Sequence, residues 1–213
     1  VNGFLVILSS PSGAGKTTIA RRLLATRNDL AFSVSATTRP PRGNEQEAVD
    51  YMFLSRDEFL VRRERGEFLE WAEYGGHLYG TVRATVDGLL AQGRHVILDI
   101  EVQGAGQVRE QRDDAVAIFV LPPSGAALRS RLRGRGSEEP AALAERLRQA
   151  DRELEQAATY DYVVVNENVD EAVAAVGAII EAETRRTARR PGLIEDIEAL
   201  RRDLALSEPE KER

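Results

Sequence analysis

The amino-acid sequence predicts an α/β fold: a doubly wound parallel sheet, interrupted by an inserted mixed α+β lobe and by a helical lid. Three observations predict it. Short apolar runs alternate with helical patterns along the 213 residues, a phosphate-loop motif joins the first run to the first helix, and two stretches break the alternation. A strand-helix repeat of this kind winds right-handed.

The elements follow in chain order. Phe4 to Leu8 is an uninterrupted apolar run, as expected of a strand covered on both faces. Thr17 to Thr26 places Ile19, Leu23 and Leu24 on one helical face. "FSVSATT", beginning at Phe32, reads as one further strand. Residues 38–81 break the rhythm with "TTRPPRGNEQ", "DYMFLS", a short helix and "FLEWAEYGGHLYGT". In the last of these, aromatic-rich runs flank Gly75 and Gly76, the pattern of a β-hairpin. Val96 to Ile100, Ala117 to Leu121 and Tyr162 to Val165 are three more buried strands, and Ser124 caps a helix running to Arg133. Leu128 to Arg152 is rich in arginine, with the glycines of "LRGRGSEEP" and Pro140 opening a second helix. This stretch reads as a mobile basic flap. The expected division is a core of 1–37, 82–127 and 156–190, a lobe of 38–81 and a lid of 128–155. Residues 191–213 form a helical extension and tail. In it, "LIEDIEALRRDLAL" sets Leu193, Ile197, Leu200 and Leu204 at helical spacing. That stripe packs on its own domain or makes a homo-oligomer contact, and the final "SEPEKER" reads as disordered.

Composition narrows the function. A net charge of -6 with 30% charged residues supports neither nucleic acid nor a membrane surface as partner. The absence of cysteine rules out disulfides and thiolate chemistry and suits a reducing, cytoplasmic setting. The opening "VNGFLVILSS" is too short in apolar length to span a bilayer and lacks a basic flank, so it reads as a buried strand. Of 29 basic residues, all are arginine except Lys16 and Lys211. A lone lysine within the body of the chain marks a place where a compact ammonium rather than a guanidinium fork is required.

Lys16 lies in "SSPSGAGKTT". Gly13, Ala14 and Gly15 precede it, and Thr17 and Thr18 follow, matching G-x-x-x-x-G-K-[ST] except that Ser10 holds the first glycine position. In such a loop successive backbone N–H groups converge on phosphate oxygens, the helix adds its positive end, the lysine bridges the terminal phosphates and the threonine hydroxyl meets Mg²⁺. Ser10, Pro11 and Ser12 complete the expected loop, Ser10 on condition that its φ is ordinary. A Mg-nucleotide site also needs an acid at the end of a neighbouring strand. "HVILDIEVQG" supplies Asp99 and Glu101, whose alternation with Leu98 and Ile100 directs both acids to one side.

A kinase needs a second pocket for its acceptor. Within the lobe, Arg39, Arg42, Tyr51 and Tyr79 offer guanidinium and phenol donors suited to a phosphate monoester. Glu70 is an acceptor suited to the adjacent N1–H and N2–H of a guanine edge, with Ser35 and Thr81 adding hydroxyls. Arginines such as Arg21, Arg22 and the 185–190 group read as solvated faces. His77 and His95 read as structural, and Trp71, Met52 and the phenylalanines as packing.

These motifs occur in the order found in guanylate kinases, and the chain resembles that family from about Gly3 to Glu183: "PSGAGKTT", "SVSATTRPPRGNE" with "DY" following, "FLEWAEYGGHLYGT", "DIEVQG", and "PPSGAALRSRLRGRG" with Arg146 downstream. The resemblance implies a P-loop kinase core with a GMP-binding lobe. The implied activity is ATP-dependent phosphorylation of GMP, and of dGMP, in purine metabolism and GMP recycling. It also implies roles: Arg39, Arg42, Tyr51 and Tyr79 on the GMP phosphate; Ser35, Glu70, Thr81 and Glu101 facing guanine; Glu45 in the same loop. Arg131, Arg135 and Arg146 would close over the ATP phosphates beside Lys16 and Arg42, Asn166 would lie near adenine, and Thr17 with Asp99, the latter through water, would hold Mg²⁺. Glu101 stands where the family is expected to carry aspartate. Two other readings stay open: a related kinase acting on a phosphorylated sugar such as ribose 1,5-bisphosphate, and a non-catalytic module that binds phosphopeptides. Glu70 speaks against the first; Lys16, Thr17 and Asp99 speak against the second.

Overall fold

The computed structural model describes residues 3–133 and 140–206; Arg135 and Lys211 lie outside the described residues. In chain order the elements are β1 (Leu5–Ser9), α1 (Lys16–Thr26), β2 (Leu30–Phe32), β3 (Ser35–Thr37), β4 (Tyr51–Phe53), α2 (Arg56–Glu64), β5 (Phe68–Tyr74), β6 (His77–Val82), α3 (Arg83–Ala91), β7 (His95–Asp99), α4 (Val102–Arg109), β8 (Val116–Leu121), α5 (Gly125–Arg133), α6 (Pro140–Glu155), β9 (Tyr162–Val165), α7 (Val169–Thr184) and α8 (Leu193–Leu206).

The core is a five-stranded, all-parallel sheet in the order β2-β7-β1-β8-β9. β1 is fully buried because successive side chains face opposite layers. Phe4, Val6 and Leu8 meet Ile19 and Leu23 of α1 and Val176 and Ile180 of α7. Leu5 and Ile7 meet Val86 of α3 and Ala105 and Val108 of α4. This is the doubly wound arrangement expected, and it places the loop after β1 at the carboxyl ends of the strands, where the chain runs to opposite sides of the sheet and ligands bind. His95 takes a structural place: the Phe4 N–H donates to its Nδ1 at 3.3 Å, and burial, the main influence, lowers its pKa.

A second sheet has the order β4-β3-β6-β5. β5 and β6 form the hairpin, closed between Tyr74 and His77 by Gly75 (φ 59°) and Gly76 (φ 78°), the pair of positive φ values that a two-residue turn demands. Ser55 begins α2 with a capping box to Glu58. Phe59, Phe68 and Leu78 form this sheet's own small core, with Met52 and Trp71 packed on it.

"FSVSATT" departs from the expectation. The strand that joins the core sheet is Leu30–Phe32, and Ser35–Thr37 belongs to the second sheet. The physical reason lies in the pattern. Leu30 and Ala31 are buried on the core, whereas Phe32 to Ser35 alternates apolar with polar, which cannot satisfy a layer covered on both faces. The solvated reading of the 185–190 arginines also fails at Arg189. That guanidinium stacks over the Phe4 ring at 4.3 Å, pairs with buried Glu183 at 3.3 Å and donates to the Asp114 carbonyl at 2.7 Å.

α5 and α6 pack through Leu128, Leu132 and Ala150, and the Ser124 Oγ accepts from the Ala127 N–H as the expected cap. α8 leaves most of its stripe open: Ile197 is 45% exposed, Leu200 63% and Leu204 72%. Apart from half-buried Leu193, the described part of this stripe is not covered by its own domain. Among the described residues no helix is long and apolar enough to cross a membrane.

Candidate active site

The phosphate loop is built by β1 stopping at Ser9 and α1 starting at Lys16. Between them Gly13 and Gly15 take φ values of 87° and 97°, a region where an L side chain is strained. Gly15 has a second constraint, since a Cβ there would sit 2.3 Å from the Asn166 amide nitrogen. Ser10 needs no glycine. It is buried, its hydroxyl donates to the Pro11 carbonyl at 3.0 Å, and Ala48 is the one described non-glycine residue with positive φ. The Ala14 N–H donates to the Pro11 carbonyl at 3.1 Å, closing the turn.

Lys16 is 8% exposed. Its Nζ donates to the Ile100 carbonyl at 2.9 Å and lies 3.0 Å from Asp99 and 3.6 Å from Glu101. Burial, the largest single influence, pulls its pKa down, but Glu101 and Asp99 together outweigh burial and the net direction is up. The Thr17 hydroxyl donates to the other Asp99 oxygen at 2.6 Å. A hydroxyl and a carboxylate meeting at the loop mouth are hard oxygen donors of the kind Mg²⁺ takes while keeping much of its water shell. Asn166, at the end of β9, donates Nδ2 to the Ala14 carbonyl at 2.7 Å. Arg131 of α5 reaches the Ala14 and Asn166 carbonyls, each at 3.4 Å. Both residues thus brace the loop from the side of β9 and α5. Arg146 lies half-buried on α6. α6 also contributes a residue the sequence reading missed: Glu153 is buried, accepts from Gln149 at 2.8 Å, and has its carboxyl pKa raised, chiefly by burial.

The second sheet gathers the lobe residues singled out in the sequence by register. Ser35 pairs with Tyr51 on one side and Thr81 on the other, Thr81 pairs with Glu70, and Tyr79 pairs with Ala72. Tyr79 and Thr81 are two apart on β6 and share a face. Glu70 is buried, accepts from the Thr81 hydroxyl at 2.6 Å, and packs its carboxylate against Gly104 of α4. Burial raises its carboxyl pKa, and the Thr81 hydroxyl partly offsets this. Tyr51 and Tyr79 meet edge to face at 6.2 Å, and Arg39 lies over the Tyr51 ring at 5.2 Å.

Arg39 is buried and locked by Glu45 in a two-point pair at 2.8 and 2.9 Å, with a further bond to the Pro40 carbonyl. The hydrogen bonds that Arg39 donates to Glu45 raise the Arg39 pKa and, reciprocally, hold the Glu45 carboxyl below its ordinary value. Glu45 also accepts from the Arg42 backbone N–H at 2.8 Å, so its contacts hold the basic loop in shape, whereas Arg42 itself is exposed.

Two cavities result. One, of about 250 Å³, is lined by the phosphate loop, Asp99 and Glu101; the other, of about 280 Å³, by Ser35, Tyr51, Glu70, Tyr79, Gly104 and the same two acids. A larger cleft of about 790 Å³, around Asp114, Asp161 and Arg189, opens near the start of β8 and holds none of these groups. The smaller pair stands out because there a phosphate loop and a hydroxyl-acid pair meet a second chamber lined by tyrosines and carboxylates. Fold and site together define a P-loop kinase with a second cavity beside its phosphate loop. The family model described as guanylate kinase matches residues 3–183. A guanylate kinase of Symbiobacterium thermophilum is 51% identical over 187 residues, covering 88% of this chain and 89% of the relative, and one of Thermotoga maritima is 46% identical, covering 92% and 94%. The crystal structure of guanylate kinase from Anaplasma phagocytophilum superposes with a TM-score of 0.76 at 36% identity, covering 93% of this chain and 95% of the other. The chain belongs to the guanylate kinase family.

Proposed function

We propose that phosphoryl transfer takes place where the two cavities meet, with ATP on the phosphate loop and GMP on the second sheet. As a member of its family the protein phosphorylates GMP to GDP with ATP as donor. The observation that carries the site assignment is that Asp99 and Glu101 line both cavities, so a donor in one and an acceptor in the other face each other across these acids.

A GMP phosphate oxygen attacks the γ-phosphorus of ATP in line, the bond to the β,γ-bridging oxygen breaks, and ADP leaves. The attacking oxygen is already an anion, so no general base is required. Lys16 turns from Asp99 and Glu101 toward the phosphates, and the loop N–H groups hold the non-bridging oxygens. Thr17, and Asp99 through water, would hold Mg²⁺, which when bound neutralises phosphate charge. Arg42, Arg131, Arg135 and Arg146 add positive charge around the transferring group. Arg39, Arg42, Tyr51 and Tyr79 grip the GMP phosphate, with Glu45 orienting Arg39. Ser35, Glu70, Thr81 and Glu101 read the guanine edge. The core, lobe and lid division follows, and closure of lobe and lid keeps water out. The cysteine-free composition suits a reducing cytoplasm.

The exposed stripe of α8 is a homo-oligomer contact in this reading. A cut after Gly192 spares Arg189, and light scattering should then report a smaller assembly; an unchanged mass refutes the contact. The central test is ADP formation with GMP, AMP, UMP or ribose 1,5-bisphosphate as sole acceptor. A pocket built on hydrogen bonds rejects a mismatch by on the order of 10⁴-fold, so GMP should stand alone. Equal turnover of AMP would remove Glu70 from base recognition.

A further inference from the structure

β5 is the edge strand of the second sheet, and an edge presents unpaired N–H and C=O groups. Here the missing neighbour is replaced by side chains from a helix of the core. The Gln107 amide of α4 accepts from the Trp71 N–H at 3.1 Å and donates to the Trp71 carbonyl at 2.9 Å, imitating a strand partner. Four residues on, in the turn that follows α4, the Gln111 amide donates to the Leu69 carbonyl at 2.9 Å and to the Gln107 carbonyl at 2.9 Å. Arg83 in turn donates to Gln111 and, at 3.3 Å, to the Phe68 carbonyl.

These clamps fall on either side of one residue. Glu70 lies between Leu69 and Trp71, and the strand register is irregular between Phe68 and Glu70. Such a bulge re-aims side chains. Leu69 turns into the core with Leu5, Ile7 and Leu98, and Glu70 turns to Thr81 and Gly104 in the acceptor cavity. α4 therefore makes room for the carboxylate at Gly104, and α4 with the turn after it pins the backbone that carries the carboxylate, from Gln107 and Gln111. It also follows directly on Asp99 and Glu101, so sliding β5 along α4 would change the distance between the base-reading carboxylate and the phosphoryl-transfer centre.

We propose that Gln107 and Gln111 are positioning residues for acceptor-base selection, acting by fixing Glu70. The proposal rests on the reading of Glu70 as the group that meets the guanine edge. Gln107→Leu, Gln107→Glu and Gln111→Ala are compared with wild type and with Glu70→Gln, using GMP and inosine monophosphate, which keeps N1–H and lacks the 2-amino group. A displacement of about 1 Å at a binding group can cost on the order of 10²-fold. The Gln107 variants should accordingly raise KM for GMP by about 10- to 100-fold and lower the preference for GMP over inosine monophosphate, as Glu70→Gln does, while KM for ATP stays within about twofold. Gln111→Ala should act in the same direction and less strongly. If Gln107→Leu fails to fold, Gln107→Glu, which keeps the acceptor for Trp71, and Gln111→Ala decide the matter. Variants that melt earlier yet keep the wild-type KM for GMP and the wild-type preference overturn the positioning role and leave a structural clamp. A preference unchanged in Glu70→Gln itself overturns the guanine reading, and the positioning role with it.

Discussion

Gly104→Ala should separate folding from acceptor recognition. A Cβ built on Gly104 would lie 2.6 Å from the outer carboxylate oxygen of Glu70, closer than real Cβ contacts come, and 3.1 Å from its carboxyl carbon, tighter than most of them. What gives way is the end of a side chain rather than backbone, so the fold survives. Alanine gains up to about 1 kcal/mol over glycine inside a helix. Displacing Glu70 from the Thr81 hydroxyl forfeits a charged hydrogen bond, about 1.5–3 kcal/mol. The two oppose each other, and net stability should fall by about 0.5–3 kcal/mol. In recognition there is no offset: losing one charged hydrogen bond to the base converts, at about 1.4 kcal/mol per decade, into a rise in KM for GMP of about 10- to 150-fold. KM for ATP should not change, because the phosphate loop is untouched. Steady-state ADP formation with each substrate varied in turn, alongside a thermal melt, reads both. A folded Gly104→Ala with KM for GMP within about twofold of wild type would refute the reasoning that the carboxylate must occupy that space.

Lys16→Ala should lower kcat by at least about 10³-fold, the scale of losing a group that contacts the transferring phosphoryl, with the circular-dichroism spectrum unchanged; near-wild-type kcat would sink its role. For Glu45 the sign follows from its depressed pKa. The contribution of its pair with Arg39 is intact above the ordinary carboxyl value of 4.5 and is lost as pH falls through the lowered value. Glu45→Gln should thus melt below wild type at neutral pH and level with it in strong acid, and a gap independent of pH would contradict the pairing. Ala48 sits at φ 60° with its N–H on the Tyr51 carbonyl at 2.9 Å. Relief of about 1–2 kcal/mol of left-handed strain exceeds glycine's entropic cost of about 0.5–1 kcal/mol. Ala48→Gly should therefore raise the denaturant midpoint, and a drop would show that the alanine methyl does something the backbone does not.

The doubly wound class and the acceptor hairpin were legible because their signals are local. β1 is a run of apolar residues, the phosphate loop has fixed glycine positions, and Gly75 and Gly76 sit between aromatic runs. The division of "FSVSATT" between two sheets was not legible, since either sheet accepts such a segment and only the burial of Leu30 and Ala31 settles which stretch joins the core. In the site, the residues that offer chemistry announced themselves by type: the lone body lysine, the acids at the end of β7, the arginines and tyrosines of the lobe. The supporting contacts did not. Glu45 holding Arg39, Asn166 bracing Ala14, and Gln107 pairing with Trp71 each join a side chain to a partner whose position depends on the folded backbone. Amides such as Gln107 and Gln111 look like any solvated polar residue until β5 is laid beside them. Arg189 shows the same limit, as one of several arginines in a basic linker and yet the one stacked on Phe4.

The second sheet begins at Ser35 and ends just past Thr81, and these two residues are paired neighbours across β3 and β6. A segment whose first and last strands leave side by side is, in engineering terms, a cassette. It can be exchanged for that of another phosphotransferase through one narrow seam, carrying a new acceptor preference onto an unaltered donor loop. The graft must respect one thing beyond that seam: the new edge strand has to present a carbonyl and an N–H where Gln107 and Gln111 wait for them. A transplant that ignores this would deliver a correctly folded reader aimed past its target.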